Sequence, residues 1–309
     1  MNRVRELVGA SCAYEYGFSG KGIGIAVLDS GINDAHPDLQ GRLVYSYNYT
    51  NDSEHAPDDC GHGTHISGII GGTGVASGGR YQGLAPRCHF VSLKILDQRG
   101  NGSSQSLIRA LHWILEQGKE YGIRIVNISV GGSVPRHAGP TELVKAVEEV
   151  WDAGYLVCVA AGNQGPDRSS ITVPGTSPAI ITVGASDDER AVRVQGQRKR
   201  HYSGRGPTPE LVEKPDLVAP GASILSCNSF FGQPGAGYYT AKSGTSMATP
   251  AVVGALALLC EKEPALTNRQ IKERLCISCR NLGYPRNRQG CGRLWLPGLL
   301  GLEEASSRE

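Results

Sequence analysis

Gly24-Ile25-Ala26-Val27-Leu28-Asp29-Ser30-Gly31 is an unbroken apolar run that ends in a carboxylate and a turn. A strand with one wet face would alternate polar and apolar residues, so this one is expected to be buried on both faces, as strands of parallel sheets are. Working outward, residues 23–28, 90–96, 123–129, 155–160 and 180–183 repeat the pattern and are rich in Val and Ile. Between them, residues 104–120 and 141–153 carry apolar side chains at helical spacing, Leu107, Leu111 and Ile114 in the first and Leu143, Val147 and Val150 in the second. Strands alternating with helices predict right-handed βαβ units, hence an α/β fold with a mainly parallel central sheet and helices on both faces. A long apolar helix over about residues 246–260 and a polar one over about 267–276 follow. No repeat, low-complexity tract or Pro/Ser-rich linker interrupts the chain, and its 42 glycines suit tight loops. One domain over 1–309 is the expectation.

Lys and Arg number 31 against 29 Asp and Glu, so the net charge of +2 gives no electrostatic case for nucleic acid or an anionic membrane surface. No run reaches the 18 or more apolar residues of a membrane span, and the first residues lead into no signal-type apolar core. Nine cysteines, an odd number mostly scattered singly, suggest free thiols in a reducing compartment, hence a cytoplasmic location, with a secreted mature form as the alternative. Cys276, Cys279 and Cys291 are spaced like part of a zinc clip, but a second CxxC or a nearby His pair is missing, and thiols are the preferred reading.

Four short segments carry chemistry. Asp29 sits at the carboxyl end of a buried strand, where open α/β sheets place their sites, although an Asp there can also simply open a turn. His62 lies between Gly61 and Gly63 at the start of a run of small residues, exposed at a helix mouth where an imidazole exchanges protons. His65, three residues on, reads as packed and structural, since the Glu of a zinc helix is missing. Ser246 opens the apolar helix, beside unpaired N–H groups and the positive end of the helix dipole; the same residue could be an ordinary cap. Asn163 ends another buried strand among Gly and Ala, where its amide could donate to a developing oxyanion or merely occupy a turn.

Together, Leu28-Asp29-Ser30-Gly31-Ile32, Gly61-His62-Gly63-Thr64-His65, Ala161-Gly162-Asn163 and Gly244-Thr245-Ser246-Met247-Ala248-Thr249-Pro250 resemble the four signatures of the subtilase family, in the family's chain order. The resemblance covers about residues 17–292. It is nearest to the intracellular serine alkaline protease branch, through Gly78-Gly79-Arg80-Tyr81-Gln82-Gly83-Leu84-Ala85-Pro86 and Ser203-Gly204-Arg205-Gly206-Pro207-Thr208. It implies the three-layer subtilisin architecture and a serine endopeptidase of extended polypeptides. Asp29, His62 and Ser246 would form the triad and Asn163 would complete the oxyanion hole, with no cofactor in the chemistry. It also implies a substrate strand lying between Ser129-Val130-Gly131-Gly132 and Gly100-Asn101-Gly102, with Ala160, Gly162 and Gln164 around a roomy, neutral pocket that takes apolar side chains. Val173-Pro174 is expected to be cis. The alternatives are a catalytically silent subtilase-like peptide-binding protein and an unrelated ester hydrolase, the latter without the G-x-S-x-G elbow it needs.

The resemblance has gaps. Relatives are made with a signal and propeptide, and neither is read in this chain. Many relatives bind calcium through an Asp at the position of Asp38, but residues 72–83 contain no carboxylate, so calcium would rely on Asp38 and neutral oxygens. Cys60, two residues before His62, would stand at the cleft edge; a thiol pKa lowered by His62 or a helix N-terminus would make it reactive. The basic stretch 190–205 is read as a solvated loop in preference to a binding patch. Outside these readings, polypeptides are the only partners expected.

Overall fold

The structure, a computed structural model, describes residues 1–131 and 141–302. Two short helices, α1 (Asn2–Leu7) and α2 (Ser11–Glu15), precede strand β1 (Gly24–Asp29), and β2 (Leu43–Asn48), helix α3 (Gly63–Gly71) and β3 (His89–Lys94) follow. The pattern continues with α4 (Ser104–Gln117), β4 (Ile123–Ile128), α5 (Glu142–Asp152), β5 (Leu156–Ala160) and β6 (Ile181–Ala185). Short strands β7 (Val192–Val194), β8 (Gln197–Lys199), β9 (Leu217–Ala219), β10 (Ile224–Cys227) and β11 (Tyr239–Lys242) lead to α6 (Thr245–Lys262). Helices α7 (Asn268–Ile277), α8 (Arg286–Gln289) and α9 (Leu296–Leu300) complete the described chain.

Seven strands form one sheet in the order β2-β3-β1-β4-β5-β6-β9, and every neighbouring pair in it is parallel. All residues of β1 and β5 are buried, as their unbroken apolar sequences require. Helix α6 is buried almost throughout and packs on β4, β5, β6 and α3. The amphipathic helices α4 and α5 pack on each other, with α5 also on β5. Their starts are written locally: the Ser103 and Thr141 hydroxyls accept from the Ser106 and Val144 N–H groups, the usual satisfaction of first-turn donors.

From β1 the chain first builds β2 and β3 on one side and then crosses to β4 on the other. The strand order therefore reverses between β1 and β4, and loops leaving the carboxyl ends of these strands must part there, opening a crevice. Asp29 ends β1 and Ser129 follows β4 at that place.

Sequence and structure differ at four points. Strand β2 is absent from the sequence-based expectation: it is a half-buried edge strand in which Tyr45 stacks on Trp113 at 4.6 Å, so it lacks the apolar run that marks the inner strands. The basic stretch is not a plain solvated loop, because Val192 and Val194 are buried and anchor an antiparallel β7–β8 hairpin. Nor are all nine cysteines free. Cys276 and Cys291 form a disulfide, with Cα atoms 5.3 Å apart, because the end of α7 meets the turn at Gly290. A zinc clip through those two is thereby removed; Cys12, Cys60, Cys88, Cys158, Cys227, Cys260 and Cys279 remain thiols. Finally, Val173-Pro174 is cis, and so are Gly165-Pro166, Gly206-Pro207 and Lys214-Pro215, which no sequence reading singled out. No helix among the described residues is long and apolar enough to cross a membrane.

Candidate active site

The His62 Nδ1 atom lies 2.7 Å from Asp29 Oδ1, with the carboxylate buried and the imidazole about one fifth exposed. The turn that carries His62 is organised by a second carboxylate, Asp58. Its Oδ1 accepts from the Ser30 hydroxyl and the Gly61 N–H at 2.7 Å each, and its Oδ2 accepts from the Thr64 N–H at 2.8 Å. The Ser30 hydroxyl oxygen in turn accepts from the Gly63 N–H. The donors left over at the start of α3 are thus satisfied from outside the helix, and Asp58 also places a negative charge at its positive end. Gly63 is required here, because a Cβ would overlap the Gly31 carbonyl oxygen. His65 is fully buried with Nε2 against the Ile224 and Thr240 carbonyls, and burial lowers its pKa to about 3, so it is neutral and structural as expected.

Ser246 stands in the first turn of α6, where its N–H has no intrahelical acceptor. Its hydroxyl donates to the Ser129 carbonyl at 2.8 Å. No hydrogen bond joins this hydroxyl to His62 in this arrangement, and both line the same cleft of about 650 Å³. On the facing segment, Asn163 Oδ1 accepts from the Thr245 N–H and hydroxyl at 3.0 and 3.2 Å. The oxygen end of the amide is thereby tied down, and its Nδ2 donor has no acceptor among the described residues.

Cys60, Gly100, Ser129, Val130, Gly131, Ala160, Gly162 and Gln164 all line this cleft. Gly102 does not; it lines an adjoining cavity that shares Leu96, Gly100, Val130 and Gly131 with it. Gly132 lies outside the described residues. Four residues of the cleft that sequence reading missed are Thr172, Arg99, Arg193 and Lys242. Thr172 is the most telling. Its hydroxyl fits between Gly131 and Gly162, where a Cβ on either glycine would strike it, and it is buried with no partner. The pocket is therefore narrower and more polar here than glycines and alanines suggest.

Two expectations are corrected. Burial raises the Cys60 thiol pKa, and the Asp58 and Asp29 carboxylates add to the rise. The premise of a low-pKa thiol beside His62 is reversed, because burial and these two carboxylates outweigh the opposing pull of Lys242. The surroundings of Asp38 do not fit calcium: its Oδ1 accepts from the Ala76 N–H at 2.9 Å and its Oδ2 from the Tyr239 hydroxyl at 2.8 Å. Its other neighbours, His36 and Cys227, offer nitrogen and sulfur, whereas calcium takes a shell of oxygens. Nor does His36 have a lone pair to spare for a softer metal, since Nδ1 accepts from the Asp38 N–H and Nε2 meets the Tyr238 carbonyl.

A model of the Subtilase family matches residues 20–292. Serine protease AprX of Bacillus subtilis (strain 168) is 41% identical over 271 residues, covering 83% of this chain, and the chain spans 61% of the length of AprX. Intracellular serine protease of Paenibacillus polymyxa is 35% identical over 291 residues, 90% of this chain and 80% of that protein. Among solved structures, Sphericase superposes with a TM-score of 0.75 at 29% identity, covering 90% of this chain and 92% of its own. With a family model spanning most of the chain, relatives above 30% identity and the same fold, the chain belongs to the subtilase family.

Proposed function

We propose that this chain is a serine endopeptidase that cuts extended or unfolded polypeptides through an acyl-enzyme, with residues 17–292 as one catalytic domain. The observation that carries the reading is the 2.7 Å contact between Asp29 and His62 on a cleft that also holds the Ser246 hydroxyl. With Nδ1–H donated to Asp29, the imidazole presents Nε2 as a base. The Ser246 hydroxyl leaves the Ser129 carbonyl, gives its proton to Nε2 and attacks the peptide carbonyl. Negative charge moves to the carbonyl oxygen, where the Asn163 Nδ2 and the Ser246 N–H donate to it. The imidazolium then protonates the departing amine, and in the second half-reaction it activates the water that releases the acyl group. Donors fixed before charge develops are what make such stabilisation effective, and the bonds from Thr245 to Asn163 Oδ1 support that role for its amide.

The substrate would add as a strand beside Ser129, Val130 and Gly131, with Gly100 on the opposite wall. Backbone pairing of that kind favours unfolded segments and flexible loops. No metal or organic cofactor enters any step. The test is labelling of the whole chain by a fluorophosphonate. Wild type should be labelled at Ser246 and Ser246→Ala should not. A wild-type chain that binds peptides and takes no label would instead be a silent peptide-binding member of the family.

A further inference from the structure

Three cations from three different elements line the cleft that holds Ser246: Arg99 from the turn after β3, Arg193 from β7 and Lys242 at the end of β11. Among the described residues no Asp or Glu lines it, and Asp29 is 1% exposed and committed to His62. None of the three cations has an ion pair among the described residues. Some cations elsewhere are closely paired, as Lys94 is with Asp59, Lys214 and Lys272 with Asp216, and Arg288 with Asp188 and Glu189. A fourth cation, Lys199 of β8, lies with Nζ 3.5 Å from the Asn163 carbonyl, behind the segment that carries Gln164.

The hairpin supplies one part of the imbalance. Residues 190–205 contain six Lys or Arg and no carboxylate, in a chain whose total charge is only +2. Buried Val192 and Val194 fix the face of β7, so Arg193, between them, must point away from the core. Like charges gathered around a cleft repel one another, and a substrate backbone is neutral. Only acidic side chains on the substrate can match them, and a cleft lined by one sign of charge concentrates ligands of the opposite sign. On the reading of this cleft as a peptidase site, we infer that it selects polypeptide segments carrying Asp or Glu close to the bond to be cut. Arg99, Arg193 and Lys242 are then specificity residues.

The experiment measures binding on the full chain carrying Ser246→Ala, so that turnover is not needed. Two fluorescent octapeptides are titrated, identical except that two Glu flanking the central bond in one are Gln in the other. At low salt the Glu peptide should bind about tenfold more tightly, and the gap should shrink as the ionic strength approaches 1 M. Arg99→Gln, Arg193→Gln and Lys242→Gln should each lower the Glu-to-Gln affinity ratio by about twofold to fivefold, the range for exposed pairs. Arg198→Gln, on the same hairpin but outside the cleft lining, should leave the ratio unchanged. Equal affinities, binding of neither peptide, or a ratio as sensitive to Arg198 as to Arg193 would overturn the inference. If the preference holds while the wild-type chain cuts neither peptide, the peptidase reading fails and the charge selection stands.

Discussion

On the cleft floor Asp29 Oδ1 is bonded to His62 and Asn163 Oδ1 to Thr245, while on the same cleft Arg99, Arg193 and Lys242 have no ionic partner among the described residues. The floor is held by networks that cross between elements. Ser30, from the turn after β1, joins Asp58 to the first turn of α3, and Thr245, from the first turn of α6, pins the amide that follows β5. The rim is made of long side chains from a short hairpin, one turn and the end of β11, and no ion pair among the described residues ties them down. A floor built in this way has its dipoles set before the substrate arrives, which is what stabilisation of developing charge needs. The rim needs no such rigidity. Its charges can change between relatives without disturbing the packed elements beneath.

The contrast is tested first where the effect is largest. Asp29→Ala and His62→Ala should each lower kcat by about 10⁴- to 10⁶-fold, the scale such substitutions have in subtilisin itself, with a normal unfolding transition. Activity within tenfold of wild type in either purified variant would break the assignment of the floor. Asn163→Ala should lower kcat by about 10²- to 10³-fold, again the subtilisin scale, with little change in KM, because the amide meets negative charge only in the transition state. A change confined to KM would instead place Asn163 with the rim, as a group that binds substrate in its ground state.

The same contrast decides what can be read from the sequence. The inner strands and the helices announce themselves, because burial on both faces demands unbroken apolar runs and an amphipathic helix demands its spacing. The four motif segments are equally visible, since a carboxylate, an imidazole, an amide and a hydroxyl at element ends among small residues are rare together. Strand β2 was hidden because its tyrosines are half-buried and pack on Trp113, so neither face is purely apolar or polar. The β7–β8 hairpin was hidden because only two valines in a run of Arg, Lys and Gln hold it. The Cys276–Cys291 pairing could not be chosen from spacing alone, as it depends on the turn at Gly290 folding back on β9, where the Cys291 N–H meets the Asp216 carbonyl. Asp58 carries no sequence mark of its work; its role exists only once Ser30, Gly61 and Thr64 converge on it.

The smallest effect falls on Thr172, which belongs to both regions: it sits in the pocket wall, yet its hydroxyl is unpaired like the cations of the rim. Gly131 and Gly162 lack side chains, and the space they leave is filled by this hydroxyl and not by solvent. This hydroxyl is unpaired already, so a purely apolar substrate side chain leaves it as it is, whereas a hydrogen bond made to it would contribute about 0.5–1.5 kcal/mol. A side chain with an amide tip could bond it. Thr172→Val keeps the shape and removes the hydroxyl, so the preference for Leu over Gln at the residue before the cut should rise, by about threefold to tenfold in kcat/KM. That range is the net worth of the one hydrogen bond that Gln can make and Leu cannot. An unchanged Leu-to-Gln ratio in Thr172→Val would mean that the substrate side chain stops short of this hydroxyl, and that the pocket is shaped by Gly131, Ala160 and Gly162 alone.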